Sequence, residues 1–259
     1  MSEGAVVDQF AMAPLNAAKQ QLRSAMKQKL SAISHESAMA QSHVVYNTLK
    51  TFKPYEDATR VSVFLSMPTG EIQTDPIVRH ALESGKEVFV PYLHRNPLPS
   101  PELPARVMDM VRLRDIQDYE SLKRDRWGIP SIDPATVHER QRIILGGPDA
   151  QHSDKSLLDL VLMPGVAFDL NPNNGAIRRL GHGKGFYDYF INRHKSKAAS
   201  LAAQEEPHKV SLYALALTEQ LLTSPSEGEV PVGPLDQPLD GLILGNGEII
   251  RPSQNNTDQ

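Results

Sequence analysis

The sequence predicts an α/β protein of three layers, in which a mostly parallel, Rossmann-like open sheet carries helices on both faces. A β-rich run at Val61–Leu65 is followed by a helix that begins at Thr74-Asp75-Pro76 and ends at Gly85, and then by a second β-rich run at Glu87–Pro91. Proline at an early helical position and glycine just past the end are typical helix boundaries. This alternation of strand and helix favours parallel strands covered by helices. The apolar run 159–163 predicts a further buried strand.

Further elements are predicted on both sides of this unit. Apolar residues at helical spacing predict an N-terminal helix over 16–33, and Ser34 is a suitable N-cap for a second helix over 35–52. Two β-rich runs around Gly245-Asn246-Gly247 predict a hairpin of Leu239–Leu244 with Glu248–Ile250. The remaining predictions are strands at Val107–Leu113 and Leu212–Leu217, a helix at Phe186–His194, and loops at His94–Pro104, Arg126–Pro130, 133–156 and Ser224–Pro238.

The 259 residues are enough for one large α/β domain, which we assign to residues 16–251. Residues 1–15 are expected to form a flexible N-terminal tail, and the polar residues 252–259 a C-terminal tail. The charged stretch 195–209 is expected to be a flexible insert within the domain.

Composition excludes several classes of protein. A net charge of −4 argues against a nucleic-acid partner, because such proteins are normally basic. No apolar run approaches the length of a membrane-spanning helix. The chain has no cysteine, which excludes disulfides and thiolate chemistry. The N-terminus resembles neither a signal peptide nor a transit peptide, so a cytoplasmic location is expected, with the mitochondrion left open.

The most informative segment is a loop in which three glycines alternate with other residues: Gly181, Gly183 and Gly185. Glycines let backbone N–H groups approach an anion without obstruction from Cβ atoms. Arg179 precedes this loop and Lys184 lies within it, and their positive charges favour a phosphate ligand. Asp188 follows directly and could hold a Mg²⁺ that bridges to the phosphate. The segment therefore predicts a nucleoside triphosphate site at a strand–loop–helix corner.

The same loop has a plain structural alternative, a tight connection without a ligand. It matches neither the P-loop spacing nor the Rossmann fingerprint. The first helix carries a basic stripe of Lys19, Arg23 and Lys27. From the sequence alone this stripe is interpreted as a solvent-exposed helix face. None of the nine histidines forms a metal-spaced pair.

Other candidate ligand residues also carry two interpretations each. Glu71 follows a predicted strand, where open α/β sheets bind ligands, but it could equally cap the next helix. Trp127 and Tyr187 could stack on a flat heterocycle or pack in the core. Asp236 lies in a Pro/Gly-rich loop together with Asp240, where a carboxylate could be a second metal ligand or a turn residue.

Taken together, these segments resemble the 5-formyltetrahydrofolate cyclo-ligase family over about residues 17–245. The block Arg-Leu-Gly-x-Gly-x-Gly-aromatic-Tyr-Asp is the most specific piece, and the pieces occur in the family's order. They are Ala18–Arg23, Val63–Met67 with Glu71, Met108–Arg112, Trp127–Pro130, Met163–Asp169, Arg179–Asp188, Leu215–Leu217, and Val230–Val232 leading to Asp240.

The resemblance implies an ATP- and Mg²⁺-dependent ligase that closes 5-formyltetrahydrofolate to 5,10-methenyltetrahydrofolate and releases ADP and phosphate through a phosphorylated formyl (iminium phosphate) intermediate. It implies catalytic roles for Lys184, Arg179 and Tyr187. The implied ATP-binding residues are Lys19, Arg23, Arg179, Leu180, Gly181, His182, Gly183, Lys184, Gly185, Phe186 and Tyr187.

For the folate substrate, which could be polyglutamylated, the resemblance implies a pocket lined by Leu65, Glu71, Met108, Trp127 and Tyr187. It implies Asp188 and Asp236 as ligands of Mg²⁺. We expect a monomer with no nucleic-acid and no membrane partner. The sequence departs from the family pattern before Glu71, where Pro68-Thr69-Gly70 lengthens the turn by one residue, and at Phe186, where many relatives have tyrosine.

Two other functions stay open at this point. A sugar-phosphate isomerase or CoA-transferase relative would share a similar α/β architecture, but the basic first helix and the glycine loop with Asp188 disfavour it. A silent folate- or nucleotide-binding protein would keep the scaffold without turnover.

Overall fold

The computed structural model describes residues 7–97, 104–144, 156–202 and 207–252. The helices are α1 (Val7–Ser31), α2 (His35–Lys50), α3 (Lys53–Asp57), α4 (Asp75–Glu83), α5 (Ile116–Glu120) and α6 (Phe186–Ala202). The first strands are β1 (Arg60–Val63), β2 (Glu87–Arg95), β3 (Arg106–Arg112), β4 (Lys123–Arg124), β5 (Pro130–Ser131) and β6 (Leu160–Met163). The last are β7 (Ala167–Leu170), β8 (Ile177–Leu180), β9 (Ser211–Ala216), β10 (Gly241–Leu244) and β11 (Ile249–Ile250).

A seven-stranded sheet forms the centre of the protein, in the order β11-β10-β9-β6-β1-β2-β3. The strands from β10 to β2 pair in parallel, and an antiparallel strand closes each edge. The predicted mostly parallel α/β sheet is therefore confirmed. The predicted hairpin around residues 245–247 is also confirmed, as the antiparallel pair β10–β11.

Alternate residues of each strand point to opposite faces of the sheet, and each face carries its own apolar core. Val61 and Val63 of β1 pack on the face covered by α2 and α4. On the other face, Val161 and Met163 of β6 pack against Phe190 of α6. Helices thus cover both faces, as the predicted three-layer arrangement requires.

A separate two-stranded hairpin, β7–β8, lies between β6 and α6 in the chain and was not predicted from the sequence. Arg178 of β8 forms a buried ion pair with Asp169 of β7, which places charged residues in strand positions. Ala167 and Leu180 pack in a third apolar cluster with Met26 of α1. The hairpin consequently connects α1 to the glycine loop that follows β8.

Helix α1 begins at Val7, nine residues earlier than the predicted start at residue 16. The prediction of a flexible tail over 1–15 therefore differs from the structure over residues 7–15, and residues 1–6 lie outside the described part. The helix continues across Pro14, where the missing N–H normally ends a helix. Leu15 contacts Gly233, because a Cβ atom added at that glycine would lie 2.9 Å from the leucine side chain.

Helix α6 runs to Ala202, whereas the sequence predicted its end at His194 and a flexible insert over 195–209. The helix continues because Ala198 is buried and because Lys197 donates hydrogen bonds to the carbonyl oxygens of Ile143 (2.5 Å) and Ser156 (3.1 Å). The predicted loop 94–104 likewise starts later, since β2 extends through Arg95. Residues 98–103, 145–155, 203–206 and 253–259, which include parts of the predicted loops, insert and C-terminal tail, lie outside the described residues.

Replacing Phe190 by alanine should lower the free energy of unfolding by about 3–5 kcal/mol, because the fully buried ring joins α6 to the sheet and leaves a cavity when removed. Chemical denaturation measures the change. The matched control is Ser196→Ala on the exposed face of the same helix, for which we expect a change within about 0.5 kcal/mol. Equal effects from both substitutions would contradict the assigned packing.

Candidate active site

The predicted site residues gather at the edge of the sheet where the parallel strands end. β1 leads into the segment of Leu65 and Glu71, and β6 leads into Pro164. Met108 pairs with Leu93 near the end of β2, so it lies at the same edge although β3 runs in the opposite direction. Ligands of open α/β sheets bind at this edge.

The glycine loop connects β8 to the N-terminus of α6. Gly183 and Gly185 have φ angles of 96° and 65°, which residues other than glycine rarely adopt. Within the described ranges, the backbone N–H groups of residues 182–187 have no hydrogen-bond acceptor. Free N–H groups at the start of a 17-residue helix attract an anion. The loop thus presents unpaired N–H groups that an anion could accept, and the phosphate site itself stays a prediction.

Two cations of α1 lie at the site, and each has a partner more than 150 residues away in the chain. Arg23 Nε donates to the carbonyl oxygen of Gly181 at 2.8 Å. A Cβ atom at Gly183 would come within 3.1 Å of the same guanidinium, so glycine permits the close approach. Lys19 forms an ion pair with Asp236 in the loop before β10. Lys27, by contrast, is exposed, so only two members of the basic stripe face the site.

Arg179 is the most enclosed cation of the site, with 5% of its side chain exposed. Its Nη2 atom donates to Asp188 Oδ2 at 2.9 Å, and Nη1 donates to the carbonyl oxygen of Pro164 at 3.3 Å. Its guanidinium carbon lies 5.6 Å from the centre of the Tyr187 ring. Arg179 Nε is buried and finds no acceptor among the described residues, so part of the donor capacity of Arg179 is unused.

Asp188 and Asp236, the predicted Mg²⁺ ligands, lie in adjoining parts of the site. The backbone N–H of Gln237, next to Asp236, donates to Asp188 Oδ1 at 3.1 Å. Asp236 accepts from the N–H of Gly233 at 2.6 Å in addition to Lys19. No group of three or more metal-binding side chains occurs in the part of the chain that the structure describes. Two carboxylates beside a phosphate site nevertheless fit Mg²⁺, which takes few protein ligands and completes its shell with phosphate and water.

Glu71 is a buried carboxyl group, 4% exposed. Its Oε1 atom accepts a hydrogen bond of 2.5 Å from the N–H of Met67. Burial raises the pKa of Glu71 to about 7, although the hydrogen bond from Met67 opposes this shift. Near neutral pH the group can therefore carry a proton or lose it, which suits contact with polar atoms of a ligand.

Tyr187 connects the two halves of the site. Its ring packs against both main apolar clusters, one of which contains Leu65 and the other Met108. Burial raises the pKa of Tyr187; the positive charge of Arg179 lowers it and the negative charge of Glu71 raises it further. The phenol is thus neutral and lies within electrostatic reach of both charged groups.

The remaining predicted folate residues differ in accessibility. Trp127 is 55% exposed at the turn between β4 and β5, with the Arg126 guanidinium carbon 3.9 Å from its ring centre. Its neighbour Gly128 lies against Pro68, because an added Cβ atom would be 2.8 Å from that ring. The turn that carries Trp127 therefore lies against the turn that precedes Glu71. Two aliphatic members are buried in the core, 8% and 2% exposed respectively: Leu65 and Met108.

The other residues of the glycine loop also divide into accessible and enclosed side chains. Lys184 and His182 are exposed, and Lys184 has no ion-pair partner among the described residues. Loss of hydration and the charges of Arg179 and Arg23 lower the pKa of His182. Phe186 is half-buried. Leu180 is 1% exposed in the third apolar cluster, so its backbone rather than its side chain is available to a ligand.

Several supporting residues were missed in the sequence. Buried Gln220 donates to the carbonyl oxygen of Gly165 at 2.6 Å and so fixes the end of β6. Gln73 donates to two carbonyl oxygens of the turn before Glu71. Asp240, weighed as a metal ligand, instead accepts from the N–H of Leu212 at 2.9 Å and joins β9 to β10. A lone amide or carboxylate in a loop carries no sequence signal that distinguishes such a role.

The geometry thus defines an α/β protein in which a glycine loop with unpaired N–H groups lies beside Arg23 and Arg179. A sequence model described as the 5-formyltetrahydrofolate cyclo-ligase family matches residues 15–245. The chain belongs to that family, and the prediction of a carbon–nitrogen bond-forming ligase is confirmed.

Two curated relatives agree with this assignment along nearly their whole length. A probable 5-formyltetrahydrofolate cyclo-ligase of Caenorhabditis elegans is 34% identical over 243 residues, covering 92% of this chain and 98% of the relative. The 5-formyltetrahydrofolate cyclo-ligase of Mus musculus is 30% identical, covering 90% and 97%. A solved 5,10-methenyltetrahydrofolate synthetase from Mycoplasma pneumoniae is similar at a TM-score of 0.48 and 17% identity, covering 89% of this chain and 99% of that one.

No described helix is long and apolar enough to cross a membrane.

The raised pKa of Glu71 predicts a specific pH dependence of stability. Because the folded protein holds this proton up to about pH 7, against 4.5 in the unfolded chain, the stabilisation is complete below about pH 4.5 and lost as the pH rises through 7. Wild type should therefore lose up to about 3 kcal/mol relative to Glu71→Gln over this range. Urea denaturation of both proteins at several pH values measures the difference, and a constant difference would contradict the shift.

Proposed function

We propose that this protein converts 5-formyltetrahydrofolate to 5,10-methenyltetrahydrofolate, consuming ATP in the presence of Mg²⁺ and releasing ADP and phosphate. The observation that carries the proposal is the convergence of Arg23 from α1 and Arg179 from β8 on a loop of free N–H groups. Membership of the cyclo-ligase family supplies the reaction. A tight connection without a ligand would need neither the cations nor the unpaired amides.

The proposed chemistry activates the formyl oxygen as a leaving group. That oxygen attacks the γ-phosphorus, and the bond from phosphorus to the bridging oxygen of ADP breaks. The N5 lone pair moves toward the formyl carbon and gives an iminium phosphate. N10 then attacks this carbon and loses its proton to water or phosphate, and inorganic phosphate departs with the electron pair of the carbon–oxygen bond. Such phosphoryl transfer depends mainly on positioning and charge neutralisation.

On the nucleotide side, the free N–H groups of residues 182–187 would hold phosphate oxygens. Lys19 and Arg23 would add charge from α1. Lys184, exposed and unpaired among the described residues, would neutralise the phosphoryl group during transfer. Arg179 would turn its unused Nε donor and its charge toward the same group. Leu180, Gly181, His182 and Phe186 would contribute backbone contacts and shape.

Asp188 and Asp236 would hold Mg²⁺, which supplies charge neutralisation for the phosphates when bound. Both carboxylates are at present paired with cations of the site, Arg179 and Lys19. Binding of MgATP would therefore exchange these ion pairs for contacts with the metal and the phosphates. This exchange keeps the total charge of the site balanced.

On the folate side, Glu71 would contact polar atoms of the pterin, and Tyr187 would lie beside the formyl group, between Glu71 and Arg179. Trp127 would stack on the ligand from the exposed turn. Leu65 and Met108 would support the pocket from the core. Cytoplasmic location, a monomeric state and use of polyglutamylated substrate remain predictions.

The proposal is tested by mixing the purified protein with 5-formyltetrahydrofolate and MgATP and following the near-ultraviolet absorbance of the methenyl product. The control omits ATP. Product that forms only with ATP supports the proposal. Absence of product from folded protein, beside an active control enzyme, overturns it and leaves the silent binding protein or another substrate.

Lys184→Ala should reduce kcat by about 10²–10³-fold while folate binding is retained, because a charge directed at the transferring phosphate is lost. Steady-state kinetics and folate titration measure the two effects. The matched control is Lys209→Ala, which removes an 84% exposed lysine at the opposite edge of the sheet and should leave kcat unchanged. Near-normal kcat for Lys184→Ala would remove this residue from the phosphate site.

Asp188→Asn should raise the Mg²⁺ concentration for half-maximal activity about tenfold or more, because an amide oxygen keeps the contact with Arg179 but is a weaker metal ligand than a carboxylate. A Mg²⁺ titration at fixed ATP measures the shift. Asp133→Asn, at an exposed turn, serves as the control. An unchanged titration would exclude Asp188 from metal binding.

A further inference from the structure

We infer that Gln73 is a positioning residue for folate binding: its side-chain amide fixes the turn 66–71, and thereby the place of the Glu71 carboxyl group. The inference rests on the proposed function, in which Glu71 contacts the folate. Gln73 itself contacts no ligand in this proposal and acts through Glu71.

The turn 66–71 lacks the main-chain hydrogen bonds that usually define a turn. Among the described residues, no backbone N–H of residues 66–73 pairs with a backbone carbonyl outside regular elements. Gly70 has a φ angle of 83°, and the turn contains Pro68, which donates no hydrogen bond. Its conformation therefore depends on side chains.

Gln73 supplies three of these side-chain hydrogen bonds. Its Nε2 atom donates to the carbonyl oxygens of Met67 (2.9 Å) and Glu71 (3.0 Å), one on each side of the turn. Its Oε1 atom accepts from Ser66 Oγ at 3.4 Å. Because both amide hydrogens are used, the primary amide clamps the two ends of the turn together.

The clamp is anchored in the scaffold. The backbone N–H of Gln73 donates to Ser42 Oγ at 2.8 Å, and Ser42 Oγ donates to the carbonyl oxygen of Ala38 at 2.6 Å within α2. Ser42 is 3% exposed, so water does not replace it. Ser42 is buried and Gln73 half-buried, and a satisfied polar network of this kind favours one geometry. Helix α2 thus fixes Gln73, and Gln73 fixes the turn.

The position of this turn affects both walls of the proposed folate pocket. Glu71 is held at 2.5 Å by the N–H of Met67, whose carbonyl oxygen is one of the two acceptors of Gln73. Pro68, within the same turn, contacts Gly128 beside Trp127. Loss of the clamp therefore displaces the carboxyl group and removes support from the neighbouring aromatic residue.

The test is Gln73→Met, which keeps the length and volume of the side chain but removes the amide. Calorimetry should show about a tenfold or larger increase in the Kd of 5-formyltetrahydrofolate, measured without ATP. Kinetics should show the same rise in folate KM, with the KM of ATP changed less than twofold. Folate Kd and KM within twofold of wild type, in a folded variant, would overturn the inference.

The control is Gln141→Met, since Gln141 also bonds two side chains, Arg112 (3.1 Å) and Ser156 (2.8 Å), but lies at the opposite edge of the sheet. Gln141→Met should lower the stability without changing folate KM. An equal rise in folate KM would show a general structural effect and overturn the inference.

Ser42→Ala weakens the anchor alone and should give a smaller increase in folate Kd, which keeps the test available if Gln73→Met does not fold. An unchanged Kd for Ser42→Ala would then count against the clamp. Wild type that binds no folate would instead refute the proposed function.

Discussion

The arrangement of the site depends on one buried cation, Arg179. It belongs to β8, yet it bonds the carbonyl oxygen of Pro164 after β6 and the carboxylate of Asp188 in α6. A guanidinium removed from water is costly unless it is paired, so these partners constrain each other. Because Arg179 also lies over the ring of Tyr187, the end of the central strand, the added hairpin and the start of α6 are held in one geometry. The glycine loop connects the hairpin to the start of α6.

The cations around that loop differ in a way that bears on catalysis. Arg23, Arg179 and Lys19 already have protein partners, whereas Lys184 has no ion-pair partner among the described residues. Where a cation of the site exchanges its protein partner for a phosphate, the loss of that partner lowers the net gain from binding. An unpaired, exposed lysine has no such partner to release. This difference favours Lys184 for the charge that develops during transfer and the others for holding the ground-state nucleotide.

Local chemistry was sufficient to predict much of the fold. Ser34 caps α2 as expected, Thr74-Asp75-Pro76 starts α4, and Gly245-Asn246-Gly247 turns between β10 and β11. The hairpin β7–β8 was missed because Arg178 and Asp169 disrupt the apolar alternation, and their mutual ion pair forms only once the two strands have paired. Likewise, the sequence of α1 did not show that Arg23 meets a loop 158 residues away. The resemblance to a family was needed for that contact, and the structure was needed to find Gln73, whose role depends on its distance to two carbonyl groups.

The buried carboxyl group of Glu71 explains why the turn before it must be rigid. A carboxyl with a pKa near 7 lies close to the balance between two states, one that donates a hydrogen bond and one that only accepts. Small displacements toward water would favour the charged form, because hydration stabilises it. A turn supported by main-chain hydrogen bonds would resist such movement unaided, but this one contains Pro68 and Gly70 and has none among the described residues. The side-chain amide of Gln73 therefore has two effects: it holds the Glu71 carboxyl group in place, and it keeps that group out of water.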